Sequence, residues 1–248
     1  MPVPVLEVDL GPGVRAGFTT RAGGVSAPPW DELDLGLHVG DDPAHVRENR
    51  ARVAAWAGTP LAWATQVHGT AVHVLGGGDP GDTVGDADAL VTDRRGTGVG
   101  VLVADCVPVL LADARAGVVG AVHAGRRGLV AGVLQATLAS MVARGADPSR
   151  VRAAVGPAIS GARYEVPAPM QREVVAVVPE TACRTDAGTP GLDLPAGAAA
   201  VLRRAGVGHV HVTGWCTDSD DRFFSHRRAQ RAGTTTGRSA GIVSLAGP

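Results

Sequence analysis

Three residues of the chain have the chemistry of a metal site and placements that would let them form one. His68 lies in Thr65-Gln66-Val67-His68-Gly69, Cys106 in Ala104-Asp105-Cys106-Val107-Pro108, and His123 in Val122-His123-Ala124-Gly125. Each sits beside a glycine or proline turn at the end of an apolar run, where side chains from different strands converge. A thiolate with two imidazoles suits zinc, and three protein ligands rather than four leave a position open, as in catalytic zinc sites. The same atoms admit other uses. Cys106 and His123 could be the nucleophile and base of a cysteine hydrolase. Two histidines and a cysteine could also hold copper. Met1, Met141 and Met170 are remote in sequence from these motifs, and the chain has a single HxH pair, His209-Val210-His211. Copper therefore ranks behind zinc. The H-x-E with P-C-x-x-C of zinc deaminases is absent. Each residue alone also has a bland reading, as a core cysteine or a structural histidine.

Anion binding has weaker signals. There is no P-loop and no G-x-G-x-x-G after a strand. Ala124-Gly125-Arg126-Arg127-Gly128 leads into a long helical pattern, where backbone amides and flanking arginines could hold an anion. Thr20-Arg21-Ala22-Gly23-Gly24 and Ser225-His226-Arg227-Arg228 place further arginines in expected loops. The chain has no lysine, so all 23 basic residues are arginine. That compositional bias reduces the weight of any one arginine as a phosphate signal.

The elements that must position these residues are legible in the middle third. Ala89 to Thr92, Gly98 to Asp105, Val107 to Ala112 and Val118 to His123 are short valine-rich runs between turn signals, expected as buried strands. Arg127 to Arg144 has helical spacing at Leu129, Val133, Leu134, Leu138 and Met141, closed by Gly145. A strand is expected at Val14 to Thr20, and a helix from Pro43, capped by Asp42, to Trp56 before Gly58. Further strands are expected at Val151 to Val155, His209 to Thr213 and Gly241 to Leu245, and helices at Pro169 to Val178 and Pro195 to Ala205. Gly76 to Gly85 reads as one surface loop. No repeat is present, and the βα alternation of a dinucleotide-binding fold is missing. The expected class is α+β, one domain over residues 1–248.

Composition narrows the function. A formal net charge of −1 excludes the basic footprint of a nucleic-acid or anionic-membrane binder. The most apolar stretch, Val99 to Ala112, is interrupted by Asp105 and Cys106, so no transmembrane helix is expected. The N-terminus, MPVPVLEVDL, lacks signal-peptide character. Three cysteines cannot all pair, and none forms a C-x-x-C, which favours a reducing, cytoplasmic setting.

A set of ordered motifs carries a family resemblance. FTTRAGGVS (18–26), LGLHVGDDP (35–43), QVHG (66–69), DADALVT (86–92), ADCVPVLLAD (104–113), AVHAGRRGL (121–129), GPAISGARYEV (156–166) and FFSHRR…TGRSAGIV (223–243) occur in sequence. Together they resemble the YfiH-like laccase-domain family, once called multicopper polyphenol oxidases and now regarded as purine nucleoside phosphorylases with adenosine deaminase activity. The resemblance implies an α/β sandwich with mixed central sheets flanked by helices, similar to the toxin deamidases. It implies zinc held by His68, Cys106 and His123. It also implies a cytosolic enzyme that phosphorolyses adenosine, inosine, guanosine and methylthioadenosine with inorganic phosphate and deaminates adenosine. Under that reading Cys106 and His123 are catalytic. Asp105 would orient a ligand or move a proton, Gln66 would hydrogen-bond near the metal, and Arg21 and Arg227 would face phosphate or ribose. A monomer or homodimer is compatible with it. The chain departs from the usual motifs. Arg126 stands where HAGWRG has tryptophan, Asp34 where LNLG has asparagine, and His226 where SYRR has tyrosine. GPAISG lacks the usual cysteine. Asp34 would disfavour a phosphate placed beside it.

Overall fold

Strands that are apolar at every position must be covered on both faces, and the valine runs of this chain are. A computed structural model describes residues 3–76 and 81–246. Of the loop expected over Gly76 to Gly85, residues 77–80 lie outside the described residues. The strands are β1 Val5–Glu7, β2 Val14–Thr19, β3 Leu61–Ala62, β4 Val72–Val74, β5 Ala89–Thr92, β6 Gly98–Val103, β7 Val107–Asp113, β8 Val118–Ala124, β9 Arg152–Val155, β10 Ala182–Arg184, β11 Pro190–Leu192, β12 His209–Val212 and β13 Ser239–Leu245. The helices are α1 Pro43–Ala57, α2 Arg126–Ala131, α3 Val133–Val142, α4 Ala168–Val177, α5 Leu194–Arg204 and α6 His226–Arg231.

Two mixed sheets form the centre, one ordered β1-β2-β13-β6-β3 and the other β12-β9-β7-β8-β5-β4, with β10 and β11 as a separate pair. Period-2 alternation assigns the faces. Val99, Val101 and Val243 of the first sheet meet Leu90, Leu110, Val119 and Ala154 of the second between the sheets. Their neighbours Val109, Leu111, Val122 and Val155 point outward, against Leu134, Leu138 and Met141 of α3 and Leu202 of α5. On the other outer face, Leu102, Ala240 and Ile242 pack with Trp63 and with Val53 of α1. The result is a helix, sheet, sheet, helix sandwich, as the resemblance implied.

Most element boundaries fall within two residues of expectation. Asp42 caps α1, its carboxylate accepting from the Ala44 N–H, and Gly58 ends it in the left-handed region. The helix expected over Arg127 to Arg144 is instead two. Gly132 adopts φ 97° and returns its N–H to the Gly128 and Leu129 carbonyls, closing α2 before α3 starts. The glycine is the cause, because only it enters this region without a Cβ penalty. The loop expected around Ser225-His226-Arg227-Arg228 is the start of a helix, with Ser225 Oγ accepting from the Arg228 N–H. No sequence signal marks β1, β3, β4, β10 and β11, which are two or three residues long and too short to show a period.

Gly132→Ala forces a Cβ into the left-handed region and should destabilise the protein by about 1 kcal/mol. A lowered urea midpoint with an unchanged m-value would verify this. An unchanged midpoint would show that the break between α2 and α3 does not depend on glycine.

Candidate metal centre

The three expected ligands come from three separate elements. His68 lies in the loop between β3 and β4, Cys106 in the turn between β6 and β7, and His123 near the end of β8. Pairing of β7 with β8 sets Pro108 opposite His123 and so brings the Cys106 turn to the end of β8. Their ligand atoms lie within 4.8 Å of one another, and among the described residues this is the one such group of three or more His, Cys, Asp or Glu. Cys106 Sγ is 3.8 Å from His68 Nε2. The two imidazoles meet edge to face, with centroids 4.7 Å apart. Ligands at about 2.0–2.3 Å around a tetrahedral ion stand on the order of 3.5 Å apart, so this donor set fits a single metal ion.

The side chain that assembles the trio was not singled out from sequence. Asp88, at the entry to β5, is 0% exposed. Its carboxylate accepts from the backbone N–H groups of His68 at 2.9 Å, Gly69 at 2.6 Å and Val67 at 3.3 Å. It also bonds His123 Nδ1 at 2.8 Å, which leaves Nε2 as the ligand nitrogen. The motif DADALVT contains this residue, and an acid directly before a fully apolar strand was the available signal. Burial alone would raise the Asp88 carboxyl, but the bonds from His123 and the Gly69 and His68 amides outweigh it and hold the carboxyl below its usual value. Burial likewise opposes charge on Cys106 and His123, yet bonds from His123 and His68 prevail to lower the thiol, and bonds to Asp88 and Cys106 prevail to raise the imidazole.

Backbone strain marks the same loops. His68 has φ 60° and Asp105 φ 88°, the two non-glycine residues in the left-handed region among those described. Such residues cost on the order of 1 kcal/mol or more and persist where surrounding bonds impose them. At His68 the imposing group is Asp88. At Asp105 it is a second set of bonds, in which one carboxylate oxygen accepts from Thr217 Oγ1 at 2.6 Å and the other from the Arg227 N–H at 2.6 Å. Asp105 thus ties the C-terminal segment to the cysteine turn. Gly125 completes the packing, since a Cβ there would lie 2.9 Å from His68 Cδ2 and 3.2 Å from Cys106 Sγ.

The remaining expected site residues fall in different places. Gln66 lies beside the trio, but both ends of its amide are bound to the Leu102 backbone at 2.7 Å, one donating and one accepting. Its structural effect is to fasten the His68 loop to β6. Arg227 faces the cleft and lies over the Tyr164 ring, 5.2 Å from its centroid. Arg21 lines neither part of the cleft. It pairs with Asp31 at 3.0 Å and lies over Phe224. Asp34 is also absent from the cleft wall. It is 0% exposed, with one oxygen accepting from the Gly36 and Arg238 N–H groups and Oδ2 unpartnered. Burial pushes its carboxyl up to about 6. Cys183 and Cys216 are free thiols outside the trio.

The cleft has two lobes that meet at Ala104, Cys106 and His226. One, of about 210 Å³, holds the trio together with His38, His226 and Arg238. The other, of about 160 Å³, is walled by Tyr164, Ile159, Leu194, Arg126 and Arg227. A larger cavity of about 530 Å³ lies against α5 and Trp215, apart from the trio. Its carboxylates are engaged, Glu180 by Arg204 and Asp193 by the N–H of Ala196. Among the described residues, no helix is long and apolar enough to cross a membrane.

Asp88→Asn should weaken metal binding about 10- to 100-fold, because it removes the anion on His123 and turns an amide donor toward backbone donors. Competition with a chromophoric chelator measures this, and unchanged affinity would refute the assembly role. Asp34 gives a pH prediction. Its folded value of about 6 exceeds the unfolded 3.8, so the native state holds the extra proton and loses stability as pH rises through that window. Asp34→Asn cannot ionise. Its stability relative to the parent should improve by about 2 kcal/mol between about pH 4 and pH 8, as read by urea unfolding. A pH-independent difference would contradict the shifted carboxyl.

Known proteins share this sequence and architecture. Residues 15–246 match the family model described as multi-copper polyphenol oxidoreductase laccase. The chain is 50% identical over 234 residues to a Mycobacterium tuberculosis protein named purine nucleoside phosphorylase, covering 93% of this chain and 91% of that one. A Streptomyces griseus protein of the same name is 51% identical, covering 92% and 93%. The crystal structure of Bacillus licheniformis YfiH superposes with a TM-score of 0.88 at 31% identity, covering 99% of this chain and 97% of that one. A matching sequence over nearly its whole length and a matching sandwich place the chain in one family: it belongs to the multi-copper polyphenol oxidoreductase laccase family, with the YfiH proteins.

Proposed function

We propose that the chain is a zinc-dependent purine nucleoside phosphorylase acting on adenosine, inosine, guanosine and methylthioadenosine, with adenosine deamination as a second activity. It would work as one catalytic domain over residues 1–248, in the cytoplasm. The observation that carries this reading is the convergence of His68, Cys106 and His123 at the junction of two lobes, one lined by histidines and Arg238 and one by Tyr164 with Arg126 and Arg227. The names of the relatives supply the substrate class.

In phosphorolysis an oxygen of inorganic phosphate forms a bond to ribose C1′ as the bond from C1′ to the purine nitrogen breaks, and the base leaves with a proton. Zinc, when bound by His68, Cys106 and His123, would supply positive charge and Lewis acidity at the junction. Tyr164, Ile159 and Leu194 offer a flat, apolar wall for the purine. Arg227, held over Tyr164, would hydrogen-bond the ribose. Asp88 keeps His123 in one tautomer and position. Asp105, with both oxygens engaged, would hold the Arg227 segment against the cysteine turn rather than carry a proton. Fixed geometry of this kind supplies much of the rate in reactions between two bound partners.

Copper is the metal named by the family description. Against a multicopper centre stands the single ligand cluster among the described residues, with His209 and His211 on the exposed face of β12. A metal-free cysteine hydrolase is the second reading, favoured by the Cys106 thiol, which its histidine neighbours hold below its ordinary value against burial.

The deciding experiment combines metal analysis with chromatography of inosine incubated with and without phosphate. About one zinc per chain and phosphate-dependent release of hypoxanthine are expected, with release abolished by chelation. No base at high enzyme loading would sink the phosphorylase reading. Thiol-alkylation-sensitive turnover that survives metal removal would favour the hydrolase.

A further inference from the structure

The lobe that holds the trio has an unusual charge make-up. His38, His68, His123 and His226 line it with Arg238, and no carboxylate does. Arg238 is its single permanently charged side chain. Nη1 of Arg238 donates to the Thr236 and Gly237 carbonyls at 3.0 Å. Among the described residues no hydrogen bond to a protein acceptor engages its Nε or Nη2, and no carboxylate pairs with its guanidinium. That sets it apart from Arg21, Arg227 and Arg228. Arg21 is paired with Asp31, Arg228 donates to the Thr217, Asp218 and Phe223 carbonyls, and Arg227 donates to the Glu165 carbonyl and covers Tyr164.

Arg238 is also positioned rather than loose. Its backbone N–H donates to Asp34 at 2.8 Å, and its residue opens the turn into β13, next to Ser239. Burial lowers its basicity, and of the charges it senses Asp34 comes first, ahead of Cys106 and Asp105; its place in the lobe wall with Cys106 and His123 sets it on the metal-ligand side of the cleft. His38, across the same lobe, is pushed below its ordinary value by burial and then by Arg238 and Arg50. It is therefore a neutral imidazole near pH 7, able to donate or accept one hydrogen bond. A half-buried guanidinium with unused donors and a neutral imidazole, with no carboxylate in the lobe wall and Asp34 behind it fully buried, suits a tetrahedral oxyanion.

We infer that Arg238 is the residue that binds inorganic phosphate, in the lobe it shares with His38 and His226, while the nucleoside occupies the Tyr164 lobe. This replaces Arg21 on the phosphate side, and it rests on the phosphorylase reading above. Both lobes open onto Cys106, so phosphate and nucleoside would meet at the trio. Arg126 and Arg227, which also make no ion pair among the described residues, lie in the Tyr164 lobe and belong to the nucleoside side under this assignment.

The test measures steady-state phosphorolysis of inosine against varied phosphate for the parent, Arg238→Gln and Arg238→Lys. It is paired with calorimetric titration of each protein with inorganic phosphate alone. In Arg238→Gln, KM for phosphate should rise about 10- to 100-fold while KM for inosine changes less than about twofold. Arg238→Lys keeps the charge without the fork and should fall between. Metal content and thermal midpoint, read alongside, separate loss of phosphate binding from loss of the fold. Should the glutamine variant unfold, the lysine variant carries the comparison. An unchanged phosphate KM in both variants overturns the inference, as does a selective loss of phosphate affinity in Arg126→Gln. A parent that releases no base ends the phosphorylase reading, and the titration then decides separately. Phosphate bound by the parent and lost in Arg238→Gln supports the site, whereas no phosphate binding to the parent overturns it.

Discussion

Everything in the candidate site depends on one buried carboxylate. Asp88 has no access to solvent, and a charge in that position is tolerable only when its lone pairs are used. Three backbone N–H groups and one imidazole use them. The same bonds draw the chain at residues 67–69 into a conformation that His68 would not adopt unaided, with φ 60°. One side chain thus fixes a loop, a ring and a tautomer, and two of the three candidate ligands have their positions from it.

Asp105 performs the same service for the third. It sits in the left-handed region directly before Cys106, and its bonds reach Thr217 and Arg227, more than a hundred residues along the chain. Gln66 adds a third tie, from the His68 loop to Leu102 near the end of β6. The sandwich supplies the frame for these ties. The β7–β8 pairing keeps the cysteine turn at the end of β8, and α2 begins immediately beyond it at Arg126, with Gly125 leaving the space that the ligands fill. Polar bonds at the strand ends, rather than the apolar layers, decide where the chemistry sits.

The sequence made the ligands visible, with Asp105 and Gln66 marked beside them, but left their main support, Asp88, hidden, for a physical reason. His68, Cys106 and His123 are uncommon residue types beside turn signals, so type and position together mark them. Asp88 acts on backbone groups, as Gln66 turns out to do, and a carboxylate that accepts from amides looks the same in sequence as one on the surface. The buried strands β5 to β8 were legible because they are apolar on both faces and bounded by turns. Gly132 was in plain view, but a glycine within a helical period does not announce whether it will be tolerated or will end the helix. Arg238 was obscured by composition, since arginine carries every basic position in this chain. Its distinction is a guanidinium with free donors in the wall of the trio's lobe, which only packing reveals.

The order of these parts along the chain has a consequence for how the protein is made. The trio lies within residues 68–123, whereas much of the remaining cleft wall comes from residues between 159 and 238, and β13, placed between β2 and β6, is the last of the strands to be made. At ordinary translation rates of roughly 5–20 residues per second, the stretch from His123 to Arg238 takes on the order of ten seconds to synthesise. Throughout that interval the nascent chain already carries its thiol and both imidazoles, but its first sheet lacks a central strand and its cleft lacks a wall. A metal ion or an oxidant reaching Cys106 then would meet an open loop rather than a finished pocket, so the competition between loading and damage begins on the ribosome.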